Sequence, residues 1–291
     1  MNWSVATVAV TLLVLGNLAA SLSDVAVKML EGGISTFQYV FLRQLFSVLL
    51  IFPLWYQQSK TQRALTAPAI ISIRAFLIII GSGCMMIAIT HLPLATANAI
   101  FYAAPLLMLP LSIILLKEVP PWGKALSTLV GFIGVLIVLR PSQFHWAAYF
   151  ALGTALTLAL FNILARKLPQ QQTVITTLFW TSLLSLPVTA VLAYLNWQTL
   201  EWRQVALVMT SAGLILLYNG LAVKAYKAAP AGQIALAEYS GLVFIVLLGA
   251  WGFNEIPDSI TAMGILLIIL PLLPYKELIQ RRTKRKENKG K

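Results

Sequence analysis

The sequence predicts an all-α polytopic membrane protein, with ten transmembrane helices arranged as two inverted five-helix repeats around a central cavity. Three observations lead there. Of the 291 residues, 59% are hydrophobic and only 10% are charged, with a mean hydropathy of +0.84, whereas soluble domains carry about a quarter charged residues. The apolar residues fall into segments of roughly the twenty residues that a helix needs to cross hydrocarbon. The two halves of the chain also match one another in register.

Punctuation by Pro, Gly and charge places the spans near residues 5 to 27, 36 to 56, 68 to 90, 93 to 116, 122 to 139, 146 to 165, 173 to 195, 203 to 223, 230 to 253 and 258 to 275. The opening MNWSVATVAVTLLVLGNLAASLSDVAVKML lacks the basic n-region and small-residue cleavage site of a signal peptide, so it is expected to be a permanent span. Connections are short and leave no room for a separate soluble domain. Cationic residues set the direction. With a cytoplasmic N-terminus, the inner loops hold Lys60, Arg63, Lys117, Lys124, Arg166, Lys167, Lys224 and Lys227. The tail KELIQRRTKRKENKGK, residues 276 to 291, adds eight more, while the outer side keeps Lys28, Arg140 and Arg203. Both termini are therefore expected in the cytoplasm of a cell whose inner membrane holds the protein, with the tail beside anionic lipid.

The repeat aligns HLPLATANAIFYAAPLLMLPLSIILLKEVP, residues 91 to 120, with AAPAGQIALAEYSGLVFIVLLGAWGFNEIP, residues 228 to 257. At one offset of 137, Pro93 meets Pro230, Tyr102 meets Tyr239, Glu118 meets Glu255 and Pro120 meets Pro257. An offset of 138 lays Asp24 and Lys28 over Asn162 and Arg166. Five spans per half is an odd number, so the second half, residues 142 to 275, enters the membrane from the side opposite to the first, residues 1 to 141. Inverted repeats around a midplane site are the usual build of secondary transporters, because exchanging the two halves' conformations opens one cavity alternately to each side.

The run LLKEVPPWGKALSTLVGFIGVLIVLRP, residues 115 to 141, resembles the segment that ends the first half in EamA-type members of the drug/metabolite transporter superfamily, although Lys117 stands where a Gly is usual. GAWGFNEIPDSITAMGILLIIL, residues 249 to 270, repeats the element, and the resemblance covers essentially the whole chain. It implies ten helices in two inverted repeats, a central cavity, and movement of small organic metabolites, often outward. Substrates across that superfamily range from amino acids, nucleobases and flavins to nucleotide sugars and cationic drugs, so the resemblance does not name one.

Glu238 is the leading candidate site residue. It stands eight residues after Pro230, or about 12 Å along a helix and near the middle of a roughly 30 Å core. An acidic group there costs about 2.5–3.5 kcal/mol to insert, so it should face a cavity or the bundle interior and bind a proton or a cationic substrate group, or else serve as a structural carboxylate. Tyr239 and its repeat mate Tyr102 could grip a planar or zwitterionic ligand or simply pack together. Asn98 lies one turn before Tyr102, among Ala95, Ala99 and Ala103, a small stripe suited to close helix contact. Arg43, two turns into the second span, could meet a substrate carboxylate, pair with Asp24 or Glu238, serve in coupling or gating, or snorkel. Arg74 stands near the inner boundary and is expected to snorkel to headgroups. Asp24 is a coupling or gating candidate, and its spacing to Lys28 is that of a local i, i+4 pair. Asn17, Asn162, Trp180, Tyr218 and Asn219 are further polar or amphipathic residues within spans. Of these, Trp180, Tyr218 and Asn219 are carried as binding candidates. Glu118 and Glu255 read as structural or gating elements at repeat ends.

An enzyme is not expected. His91 and His145 fall at span ends, no HExxH occurs, and GSGC at residues 81 to 84 has no acidic or basic neighbour. Cys84, the single cysteine, allows no internal disulfide. No filter loop suggests a channel, and no GxxxxGK[ST] suggests ATP as the direct energy source. No cofactor, metal or nucleic-acid partner is expected. The expected function is secondary transport of a small polar, amino-acid-like metabolite by alternating access, as an exporter or exchanger, with protons as the candidate coupling ion. A planar aromatic substrate such as riboflavin or a nucleobase is the alternative. Oligomeric state is left open.

Overall fold

The computed structural model describes residues 5–31, 33–117, 122–139, 145–230 and 234–270, and among them there are helices and no strands. Glu118, Arg140 and the basic tail from residue 276 lie outside the described residues. The helices are α1 (Val5–Lys28), α2 (Thr36–Tyr56), the short α3 (Lys60–Arg63), α4 (Pro68–His91), α5 (Leu94–Phe101), α6 (Ala104–Leu116) and α7 (Trp122–Leu139). There follow α8 (Ala147–Arg166), α9 (Val174–Leu195), α10 (Trp202–Ala228), a 3-10 turn (Ala235–Tyr239), α11 (Ser240–Phe253) and α12 (Ser259–Ile269). Seven segments are long and apolar enough to cross a membrane, counting Leu94–Leu116 as one, and three shorter apolar helices lie at Leu129–Val138, Ala237–Phe253 and Ser259–Ile268. The seven long segments overlie seven of the ten expected spans. Large apolar side chains such as Leu49, Phe52, Phe76, Leu129 and Phe132 point outward as a greasy surface, the inverse of a water-soluble protein. This is a multi-pass membrane protein.

Local chemistry sets the helix ends. Ser35 accepts from the Gln38 amide, Thr173 from the Thr176 amide and the Asp258 carboxylate from the Thr261 amide, each satisfying a free donor of a first turn. Lys117 ends α6 and Asn254 ends α11 with φ of 56° and 53°, the left-handed conformation typical of a helix C-terminus. These two ends are 137 residues apart, the offset at which the sequence repeats.

The two spans expected at 93 to 116 and 230 to 253 are broken, again at matching positions. Between α5 and α6, Pro105 cannot donate to the Phe101 carbonyl, and the chain turns through Tyr102 and Ala103. In the later span, Asn17 of α1 donates its amide to the carbonyls of Ala237 (3.1 Å) and Glu238 (3.1 Å) and to the Ser240 hydroxyl (3.2 Å). Ser21 donates to the Gly241 carbonyl at 3.2 Å. Carbonyls released from a helical ladder inside hydrocarbon need such partners. Glu238 therefore stands in a 3-10 turn rather than on the continuous α-helix expected from the sequence.

The packing pairs α1 with α10, α4 with α8, α2 with α9 and α7 with α12, with α1–α11, α6–α8, α2–α10 and α4–α9 contacts beside them. Replacing each first-half helix by its counterpart half a chain later, and the reverse, returns the same set. Buried hydroxyls stitch α1, α2 and α10 together: Ser211 Oγ lies 2.8 Å from Ser23 Oγ and 3.0 Å from the Tyr39 hydroxyl. At the α7–α12 crossing the backbones touch, since a Cβ on Gly134 would stand 2.6 Å from the Gly264 carbonyl oxygen and one on Gly264 2.7 Å from that of Gly134.

Candidate functional site

A cavity of about 140 Å³ lies in the middle of the bundle, walled by α1, α2, α4, α5, α6, α8, α10 and the 3-10 turn. Ligand pockets usually run to about 300–1,000 Å³, so the walls must part to admit a metabolite. Its charged lining residues are Asp24, Arg43 and Glu238. Asn17, Asn98, Asn162 and Asn219 add amides, Tyr102, Tyr218, Phe101 and Phe161 add rings, and Met85 and Met108 add soft apolar surface.

The 3-10 turn presents the Glu238 carboxylate to α8 and α10. Tyr226 donates to it at 2.7 Å, and Tyr218 and Asn162 donate at 3.4 Å. Among the described residues no basic side chain pairs with it. A buried carboxylate held by neutral donors can take a proton or a cationic ligand group, because either supplies the missing counter-charge. Asp24 faces Asn98 and Arg43 across the cavity. The expected local pair is not formed: Lys28 instead binds Glu255 at 3.1 Å and donates to the Leu92 carbonyl at 3.1 Å. Arg43 is buried rather than snorkelling, donates to Ser82 and lies 5.6 Å over the Tyr39 ring. Its Nε has no partner among the described residues.

Six of the eight binding candidates read from the sequence line this cavity: Glu238, Tyr102, Asn98, Arg43, Tyr218 and Asn219. Tyr239 and Trp180 do not. Tyr239 is buried edge-on to Tyr102, with ring centroids 6.2 Å apart, and its hydroxyl points toward Gly131. Trp180 joins Trp55 and Phe179 near the N-terminal end of α9 and donates to the Arg63 carbonyl at 2.9 Å. Periodicity alone does not separate a cavity aromatic from a packed one. Arg74 also departs from expectation: instead of snorkelling it is 0% exposed, donates to the Phe161 carbonyl and stacks on the Phe161 ring. Tyr226 was missed because Lys224 and Lys227 beside it suggest an interfacial aromatic. The signal available was its place two turns from Tyr218 on one face, with Ala222 between.

A second cavity, of about 420 Å³, opens beside the α5 N-terminus and is lined by Pro93, Thr96, His145, Asn254, Glu255 and Asp258 among others. Glu255 closes its floor, accepting from the Leu94 amide at 2.6 Å while paired with Lys28. One carboxylate thus ties the ends of α1, α5 and α11 together.

A solved crystal structure superposes on 95% of this chain and 98% of its own length with a TM-score of 0.66 at 16% identity, a likeness of fold alone. The S-adenosylmethionine uptake transporter of Rickettsia prowazekii is 27% identical over 254 residues, 86% of each chain. The riboflavin transporter of Vibrio cholerae is 26% identical over 220 residues, 74% of each, and the pseudopaline exporter of Pseudomonas aeruginosa is 24% identical over 268 residues, 90% of this chain and 93% of that one. The profile of the EamA-like transporter family matches twice, at residues 7–140 and 145–273. With both halves matched in turn and a cavity between them, the chain belongs to the EamA-like transporter family and is a transporter, not an enzyme.

Proposed function

We propose that this protein is a secondary transporter of the inner membrane that moves an amino-acid-bearing metabolite of net positive charge by alternating access. The observation that carries this reading is the charge balance of the cavity: two carboxylates, Asp24 and Glu238, against one guanidinium, Arg43, in one buried space. An α-amino acid would set its carboxylate on Arg43 and its ammonium on Asp24. Glu238, beside Tyr218 and Met108, then matches a second cationic centre such as a sulfonium. S-Adenosylmethionine carries these three groups, and the name of the Rickettsia relative agrees with it.

The alternating-access part rests on ten spans as two inverted repeats, with both termini cytoplasmic. Supporting it are the two successive family matches, the helix breaks and left-handed ends 137 residues apart, and the exchange-symmetric packing. Such a carrier is reversible, so gradients of substrate and protons set the direction. Relatives named for uptake and for export are compatible with that. A flavin is the second reading, favoured by the rings of Phe101, Tyr102, Phe161 and Tyr218 and by the Vibrio relative.

The test is thermal stabilisation of the purified protein by S-adenosylmethionine, S-adenosylhomocysteine, methionine and riboflavin, beside Glu238→Gln. The expected result is the largest rise with S-adenosylmethionine, with its advantage over the uncharged thioether homologue lost in Glu238→Gln. Stabilisation by riboflavin and not by S-adenosylmethionine would sink the reading.

A further inference from the structure

One buried charge lies outside the cavity lining. Arg74 is 0% exposed on α4, one turn before the cavity-lining Leu77 and Ile78. Its Nη1 donates to the Phe161 carbonyl, and its guanidinium carbon lies 3.6 Å from the centre of the Phe161 ring. Nε and Nη2 have no partner among the described residues, and no acidic side chain there pairs with the group. A stacked guanidinium with two unpartnered nitrogens is an expensive way to join two helices, since each unmet buried donor costs about 1–3 kcal/mol and more when charged. An apolar residue would pack there at lower cost.

Phe161 itself lines the cavity and Arg74 does not, so the ring on which the guanidinium stacks is the group it shares with the ligand space. Arg43 stands seven residues into α2 from Thr36, and Arg74 six residues into α4 from Pro68. At 1.5 Å per residue these are depths of about 10 and 9 Å. In the proposed topology they are measured from opposite faces of a roughly 30 Å core. In that topology Arg43 enters from the outer side, within the cavity lining, and Arg74 from the inner side.

We propose that Arg74 is a second carboxylate-binding residue, on the cytoplasmic leg of the pathway, which takes the substrate carboxylate from Arg43 when the Phe161 ring swings aside. No bond is made or broken; one charge-assisted hydrogen-bond set replaces another. The proposal rests on the amino-acid reading of the substrate and on the inward placing of the α4 N-terminus. The planar fork of Arg suits this role, because Nε and Nη2, with three N–H donors between them, stay free after Nη1 has met the Phe161 carbonyl.

Two measurements test it. In proteoliposomes of known orientation, Arg74→Gln should raise KM for S-adenosylmethionine about tenfold from the cytoplasmic face and leave it unchanged from the outer face, with decarboxylated S-adenosylmethionine unaffected. Arg74→Lys should recover part of the loss. An equal rise from both faces, or an equal loss for the decarboxylated analogue, overturns the proposal while leaving the substrate reading intact. Failure of the wild type to carry S-adenosylmethionine overturns that reading instead. The second measurement needs no transport: phenylglyoxal modification of Arg74, read by mass spectrometry, should quicken about tenfold in Phe161→Ala and be slowed by N-acetylglycine but not by N-acetylglycinamide. An unchanged rate, or equal slowing by the acid and its amide, overturns the assignment without reference to the natural substrate.

Discussion

Breaking the Lys28–Glu255 pair should open the cavity on the side of the α5 N-terminus. The two groups are 3.1 Å apart, with side chains 20% and 22% exposed. At an effective dielectric constant of about 20, their attraction is about 5 kcal/mol. Desolvation offsets the greater part, and a charged hydrogen bond in such a setting nets about 1.5–3 kcal/mol. Removing Lys28 should therefore shift the closed-to-open balance by about tenfold to about a hundredfold. The assay is the labelling rate of a cysteine placed at Thr154, which lines the central cavity, in a Cys84→Ser background, by a membrane-impermeant maleimide on intact cells. Lys28→Met should speed labelling, and the exchanged pair Lys28→Glu with Glu255→Lys should slow it again. A rate in Lys28→Met equal to that of the parent would show that the pair does not hold this side shut.

Tyr226→Phe removes the shortest hydrogen bond to Glu238, 2.7 Å long, without touching the cavity lining. Loss of a charge-assisted bond worth about 1.5–3 kcal/mol should weaken S-adenosylmethionine binding about tenfold in calorimetry, and an unchanged Kd would show that Tyr226 does not position the carboxylate. Lys117→Gly relieves a left-handed backbone, φ 56°, costing about 1–2 kcal/mol, part of which is offset by glycine's greater freedom in the unfolded chain. Its Tm should rise by about 2 °C, and by more than that of Asn254→Gly, because Asn tolerates this conformation; the reverse order would refute the account.

Much of the candidate site was legible because burying a polar group in hydrocarbon is costly. Glu238, Arg43, Asp24 and Tyr218 each stand out against an apolar run, and each lines one cavity. What could not be read depends on partners distant in the chain. Lys28 has Asp24 one turn away, yet it pairs with a residue 227 positions later, because the α11 end brings Glu255 to the α1 end. Arg74 lies close enough to the span boundary to snorkel, but α8 offers it a carbonyl and a ring. The two helix breaks differ in the same way: Pro105 announces the first, while the second is made by Asn17 of another helix. Trp180 and Tyr239 show the limit for aromatics, whose sequence pattern is the same in a cavity wall and in a packed core.

The contact of Gly134 with Gly264 has a mechanical side. Here two helices meet backbone to backbone, with the Val138 and Ile268 side chains packed against the glycines. Exchanging the halves maps the α7–α12 pair onto itself, as it does α2–α9, so under the proposed alternating access this crossing is a fulcrum of the movement. A bulky residue at either glycine would pry the fulcrum apart, whereas a covalent staple across it should leave the cycle running.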